Sequence, residues 1–349
     1  MKYQKKVISD LNLCYSLAEL TYKGQHCFLV AAEKHDPCYL FDEAGTKIAE
    51  PWAGPGGVMT MQQVPEHDGQ FLATHEFYSP NDSKNARIII CTPDEEGKWD
   101  VRTLVDAPFV HRFGILKRNG IHYLIICCLK SGHEYKDDWR FPGGVYAAVL
   151  PEKLDDFDEN NQLKLVKLKD GMLKNHGYCA TTIDGVECAL VTCDEGVFLF
   201  TPPESPAEQW EIKQLLDVPA SDAVICDFDS DGKLELGIIE KFHGDVLSIY
   251  RINDQGKYEK CWEYPEKLEM LHAIWAGTLC GKKRFVVGNR RGNRKTIAVS
   301  WEAGEYQTEI IEENTGAANI LHFMNKEGKD IIVAANREIN EVAMFIFEK

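Results

Sequence analysis

Short apolar runs alternate with polar turns along the whole chain, and a 3.6-residue helical period is hard to find anywhere in it. Seven apolar segments each run into a glycine-bearing turn and out into a second apolar segment. The turns are "TYKGQ" (Gly24), "EHDGQ" (Gly69), "KRNGI" (Gly120), "TIDGV" (Gly185), "DSDGK" (Gly232), "LCGKK" (Gly281) and "NKEGK" (Gly328). Asn-Gly and Asp-Gly favour the positive φ angles of tight hairpins, so each glycine predicts an antiparallel strand connection. Successive glycines stand 45, 51, 65, 47, 49 and 47 residues apart. Strongly β-forming runs follow most of them, such as "HYLIICCL", "ECALVTC" and "DIIVAA", and then a third and usually a fourth strand, as in "DVLSIYRI" and "YEKCWEY".

A repeat of about 45–50 residues carrying four strands is the signature of a propeller blade. The spacing predicts an all-β chain forming one seven-bladed β-propeller domain over residues 1–349, with blades near 12–57, 58–109, 110–171, 172–220, 221–270, 271–316 and 317–349. The last repeat ends after three strands, and the N-terminal "YQKKVIS" predicts its fourth: residues 2–9 close the last blade and leave no exposed edge. A set of unrelated β-sandwiches would not share such a register.

Composition narrows the function. With 44% hydrophobic residues in 349, the chain can build a large core. No segment approaches 18 apolar residues and the N-terminus has no signal-peptide run, so a soluble, cytoplasmic protein without a membrane partner is expected. The twelve cysteines are scattered singly apart from Cys127–Cys128, with no CxxC pair, which predicts reduced, mostly buried thiols. A net charge of −16 argues against nucleic acid and long polyanions and leaves a small saccharide or oligosaccharide as the partner class. Nothing in the sequence sets the oligomeric state.

The candidate chemistry comes from register. His111, His176 and His272 each precede their turn glycine by nine residues; Tyr15 and Asn319 hold the same place in blades one and seven, and Asp222 is one residue off it. In propeller geometry these positions begin the inner strands, at the end opposite the glycine turns. Three neutral imidazoles converging there would form a divalent-metal site (zinc, magnesium, manganese or calcium) with open positions. The alternative is a ring of histidines hydrogen-bonded across the channel mouth. Loops joining second and third strands emerge at the same end and carry His35, His75, His133, His243, Arg290, Arg291, Arg294 and Arg337, so seven of the eleven histidines gather at one rim. In "GHEYKDDW", His133 and Tyr135 suit a base and an acid, with His75 competing for the base role. Arg290, Arg291 and Arg337 offer guanidinium forks to a carboxylate, with His243 and Asn319 beside them; the plainer reading of "NRRGNRK" is a solvated hairpin.

A second constellation is "CDFDSDGKLEL", in which Asp227, Asp229, Asp231 and Glu235 are spaced to wrap a hard cation. The twelfth position is Ile238, which rules out an EF-hand. The loop resembles the calcium-binding turn of FG-GAP and VCBS-type propeller repeats, which implies a structural calcium; the alternative is a loop that only forms a hairpin.

Over "PFVHRFGIL", "LIICCLKSGHEYKDDW" and "PGGVYAAVLP" the chain resembles the propeller domain of the aldos-2-ulose dehydratases and the related seven-bladed rhamnosyl-glucuronate lyases. The likeness is specific around His111 and His133–Trp139, and weaker over the other blades. The cupin domains of the larger dehydratases are not expected at this length. The resemblance implies a carbon–oxygen lyase acting on carbohydrates: metal-assisted β-elimination on a keto-sugar or a uronic-acid-containing saccharide. Such a reaction needs a base for a carbon-bound proton, positive charge for the enolate-like intermediate and an acid for the leaving oxygen. Two other classes fit the same fold: a non-catalytic sugar-binding or scaffold propeller, and a metal-dependent, lactonase-like hydrolase. Elimination creates a conjugated C=C that absorbs in the ultraviolet, and hydrolysis creates none.

Overall fold

The computed structural model describes residues 1–348 and contains seven four-stranded antiparallel sheets, with a single 3₁₀ turn as its only helix among the described residues. The fold is a seven-bladed β-propeller. The first strands of blades one to six are Cys14–Tyr22, Met61–Gln63, Val110–Arg118, Gly177–Ile183, Ala220–Cys226 and Leu271–Leu279, and in each blade the strands pair in chain order. The last blade departs from that rule. Asn319–Met324, Asp330–Asn336 and Glu341–Phe347 pair in order, and Tyr3–Asp10 adds the outer strand, with Tyr3 opposite Phe347 and Asp10 opposite Glu341. Tyr3 packs edge-on against Phe345, ring centroids 5.4 Å apart.

The glycine turns form as the sequence dictates. Asn119 and Gly120 have φ of 49° and 79°, and Asp184 and Gly185 have 51° and 79°, the paired positive values of a type I′ hairpin. Second strands such as Ile121–Lys130 are buried almost throughout, because both faces of a blade's middle are covered; this explains their unbroken apolar runs. The chain divides into two compact units, one of residues 15–191 and 199–213, the other of residues 1–14, 192–198 and 214–349. The first has a core built around Leu29, Leu40, Phe71 and Ile89, and the second one around Val286, Ala298, Ile332 and Phe345. Most of the cysteines are buried, and none forms a disulfide. No helix is long and apolar enough to cross a membrane.

A β-bulge recurs at one place in the blades. Pairing skips from Val110 to Arg112, from Ala220 to Asp222 and from Leu271 to Ala273, so His111, Ser221 and His272 are the bulged residues of blades three, five and six. A bulge re-aims the side chain it carries. In blade five the longer aspartate-rich turn adds residues between bulge and glycine. The equivalent of the two histidines there is Ser221, and Asp222 beside it accepts the Ser221 hydroxyl at 2.9 Å. Blade seven has no bulge at Asn319, which pairs directly with Ala335.

Candidate metal centre

In the unit containing blade three, His111 donates from Nδ1 to the backbone carbonyl of His176 at 3.0 Å, and the two imidazoles lie 4.2 Å apart between centroids. Both are almost fully buried. Phe77 closes against His111 edge-on at 5.3 Å, and the Thr60 hydroxyl donates to the His111 carbonyl. The segment before His176 is held by Asn175, itself buried, whose amide donates to Gly144 O at 3.0 Å.

The unit containing blades five and six builds a second histidine pair. His272 donates from Nδ1 to Ala318 O at 2.7 Å, and its ring lies 5.1 Å from that of His243. His243 stacks on Phe242 at 4.0 Å and adopts a left-handed backbone with φ of 48°. That conformation is costly for histidine and is kept where surrounding structure fixes it. Here the fixing is local: Gly244 N–H bonds Lys241 O, Leu271 N–H bonds Gly244 O, and a Cβ on Gly244 would collide with Glu240 O at 1.9 Å.

A carbonyl oxygen only accepts, so His111 and His272 each carry a proton on Nδ1. A buried imidazole braced through Nδ1 by a backbone carbonyl is how metal-binding histidines are usually held, and the donor chemistry fits a cation that favours nitrogen.

Of the residues expected as acids and bases, His133 and Tyr135 sit in the loop after Ile121–Lys130, and His75 ends the strand Phe71–His75. His133 packs edge-on against Phe109, and the half-exposed Tyr135 ring lies under the Arg140 guanidinium. Their loop is organised by the buried Asp138, which accepts from Glu134 N, Arg140 N and the Arg140 side chain. The Arg140 hydrogen bond holds the Asp138 carboxyl far below the usual range. Lys130 is fully buried; it donates to Asp138 O and faces the Trp139 ring at 4.2 Å. His75 donates from Nε2 to Pro55 O at 2.7 Å, and burial pushes its pKa down, despite the opposing pull of that hydrogen bond.

Of the residues expected to hold a carboxylate, Arg290 is buried and bonds Glu338 through Nε and Nη2 at 2.8 and 2.6 Å. Arg337 joins the same carboxylate at 3.1 Å. Burial opposes ionisation of Glu338, but the two guanidiniums prevail and hold its pKa below the usual value. Arg291 is exposed, in a loop shaped by Asn289, which donates to Arg291 O and accepts from Lys295 N. Asn319 is half-exposed at the start of its strand.

The aspartate-rich turn brings Asp227, Asp229 and Glu235 together, one ligand oxygen from each lying within 4.8 Å of the others. Asp231 stays exposed and accepts from Lys233 N. Burial is the main cause that lifts the Glu235 carboxyl to about 7, although Phe228 N–H donates to it at 2.7 Å. Arg251 approaches the same cluster, with Nη2 2.5 Å from Asp229 and Nε 3.8 Å from Glu235.

Sequence reasoning placed His243 beside substrate and did not associate it with His272, because it lies in a loop outside the nine-residue register. The available signal was "FHG", a histidine against a glycine that must make a tight turn.

No protein-family model matches the chain, and no curated protein matches it by sequence. Solved structures do match in fold. The chain is similar to a streptogramin B lyase, 15% identical over 99% of this chain and 98% of that one, with a TM-score of 0.54. It is also similar to a periplasmic gluconolactonase from Pseudomonas aeruginosa, 12% identical over 96% and 92%, TM-score 0.58. A third is a candidate 6-phosphogluconolactonase from Bacteroides uniformis, 14% identical over 95% and 92%, TM-score 0.55. At these identities the likeness is one of fold, and none of the three belongs by name to the dehydratase group that the motifs resemble.

Proposed function

We propose that the protein is a metal-dependent propeller hydrolase that opens a lactone derived from a sugar, with His243 and His272 among the protein ligands of the cation. The observation that carries this reading is that the buried His272 ring lies 5.1 Å from that of His243, so one unit brings two imidazoles together. The Nδ1 bond of His272 to Ala318 O adds to it. Two of the structural neighbours are named as lactonases, which supports the hydrolase over the eliminating lyase that the motifs suggest. An all-imidazole donor set suits zinc better than magnesium, manganese or calcium, whose preferred ligands are oxygens.

A bound divalent cation supplies carbonyl polarisation and a water of lowered pKa. The chain's own contribution is placement. Phe242 keeps the His243 imidazole in one orientation. Asn319, the residue after the Ala318 carbonyl that anchors His272, is suited to bond a substrate hydroxyl.

A second reading keeps β-elimination on a keto- or uronic-acid sugar. His75 supports it, since a pKa lowered by burial keeps that imidazole unprotonated, the form a base needs, at neutral pH. His133 and Tyr135 would act as the alternative base and the acid. The neighbour named as a lyase supports the same class. One assay separates the two. Aldonolactones, keto-sugars and uronosides are followed at constant pH for acid release and, in parallel, for ultraviolet absorbance. The hydrolase releases one proton per lactone without new absorbance, loses activity to a chelator and regains it with zinc. Absorbance on a uronoside or keto-sugar would replace it with the lyase, and no turnover of any substrate would leave a non-catalytic propeller.

A further inference from the structure

The unit containing blade three holds a groove of about 370 Å³ that the metal centre does not use, lined by Tyr123, Ala148, Val166, Pro206, Glu208 and Trp210 among others. Its size lies in the range of small-molecule sites. Two of its residues set it apart from an ordinary surface depression. Tyr123 is only 2% exposed, and its hydroxyl has no hydrogen-bond partner in the chain. Buried hydroxyls are almost always paired, so an orphan one on a groove wall calls for a partner from outside. Trp210 meets the Tyr123 ring edge-on, centroids 5.7 Å apart and planes at 81°, and is itself only half-buried. Val166, 65% exposed, and Val149, 41% exposed, add apolar wall, while Lys167, the carboxylate of Glu208 and the amide of Gln209 supply its polar groups.

We propose that this groove is a second, non-catalytic site that binds a neutral pyranose, with the sugar's C–H face on Trp210 and one hydroxyl bonded to Tyr123 Oη. A pyranose combines an apolar face with a ring of hydroxyls, which is the pairing that an aromatic ring, an orphan phenol and a carboxylate require together. The sugar is neutral because Glu208 and the net charge of −16 repel an anion, and the lining cation, Lys167, is already paired with Asp170 at 2.9 Å. Burial raises the Tyr123 pKa, with Glu208 adding to the effect, so the phenol stays protonated and able to donate.

The test is saturation-transfer NMR and calorimetric titration of the full chain with glucose, galactose, mannose, maltose and cellobiose, and with glucuronate as the anionic control. At least one neutral sugar is expected to bind and glucuronate not to. Tyr123→Phe should weaken that binding about tenfold while leaving the melting temperature unchanged or raised, because it removes an unpaired buried hydroxyl. Trp210→Ala should abolish binding, and His272→Ala should leave it intact, which separates this site from the metal centre. The proposal is overturned if no neutral sugar binds, if Tyr123→Phe binds as tightly as the wild type, or if that variant melts lower, which would reveal an internal partner for the hydroxyl. Binding of a proline-rich peptide in place of any sugar overturns it as well.

Discussion

His272 donates the proton on Nδ1 to the carbonyl oxygen of Ala318, 2.7 Å away, and is itself 2% exposed. One hydrogen bond thereby fixes the ring's orientation and places a proton on Nδ1. His272→Ala removes the donor and strands a buried carbonyl, so a loss of roughly 1–3 kcal/mol is expected from urea unfolding of the metal-free protein. An unchanged midpoint would mean that the imidazole is not held as described.

The N-terminal strand completes the last blade, with Tyr3 packed on Phe345 and Phe347. Deleting residues 1–10 exposes the edge of Glu341–Phe347 and the aromatic cluster beneath it. The melting temperature should fall by more than about 5 °C, since several kcal/mol of burial and ladder pairing are lost. A truncated protein that melts with the full-length one would contradict this role.

The blades were legible in the sequence because a type I′ turn demands glycine at a fixed place, and Gly24, Gly120, Gly185 and Gly281 mark it without ambiguity. The N-terminal strand was legible from the missing fourth strand of the last repeat. The bulges at His111, Ser221 and His272 were not, because a bulge is set by pairing across two strands and leaves no residue signature in either. Counting back from the glycine therefore found the two histidines but missed Ser221, where the aspartate-rich turn is longer. The partnership of Arg290 with Glu338 was equally hidden, since 48 residues separate them and only folding brings them together.

His75 gives a pH signature. Its folded pKa is lowered by burial, so the unfolded chain takes up its proton first as pH falls. The stability it contributes is complete above the unfolded value of about 6.5 and declines as pH drops through that value toward the lower, folded one. Chemical unfolding between pH 8 and 5 should show this decline, and His75→Gln should flatten that part of the profile. A variant whose profile matches the wild type assigns the decline to other groups.

The Asp227, Asp229 and Glu235 cluster should take calcium as a structural ion. Millimolar calcium should raise the melting temperature of the wild type by a few degrees, by preferential binding to the folded state. Asp227→Ala should abolish the rise. No shift in the wild type would mean that Arg251, already bonded to Asp229, is the cluster's only cation.

The most direct test of the account is the metal content of the protein purified without added metal or chelator, by inductively coupled plasma mass spectrometry, in an Asp227→Ala background so that the acidic turn contributes nothing. One equivalent of a divalent transition metal per chain, zinc foremost, is the predicted result, falling below about a tenth of an equivalent in each of His243→Ala and His272→Ala. Full metal content retained in either of these variants, or none in the parent even after incubation with zinc, would contradict the assignment of His243 and His272 to one cation site.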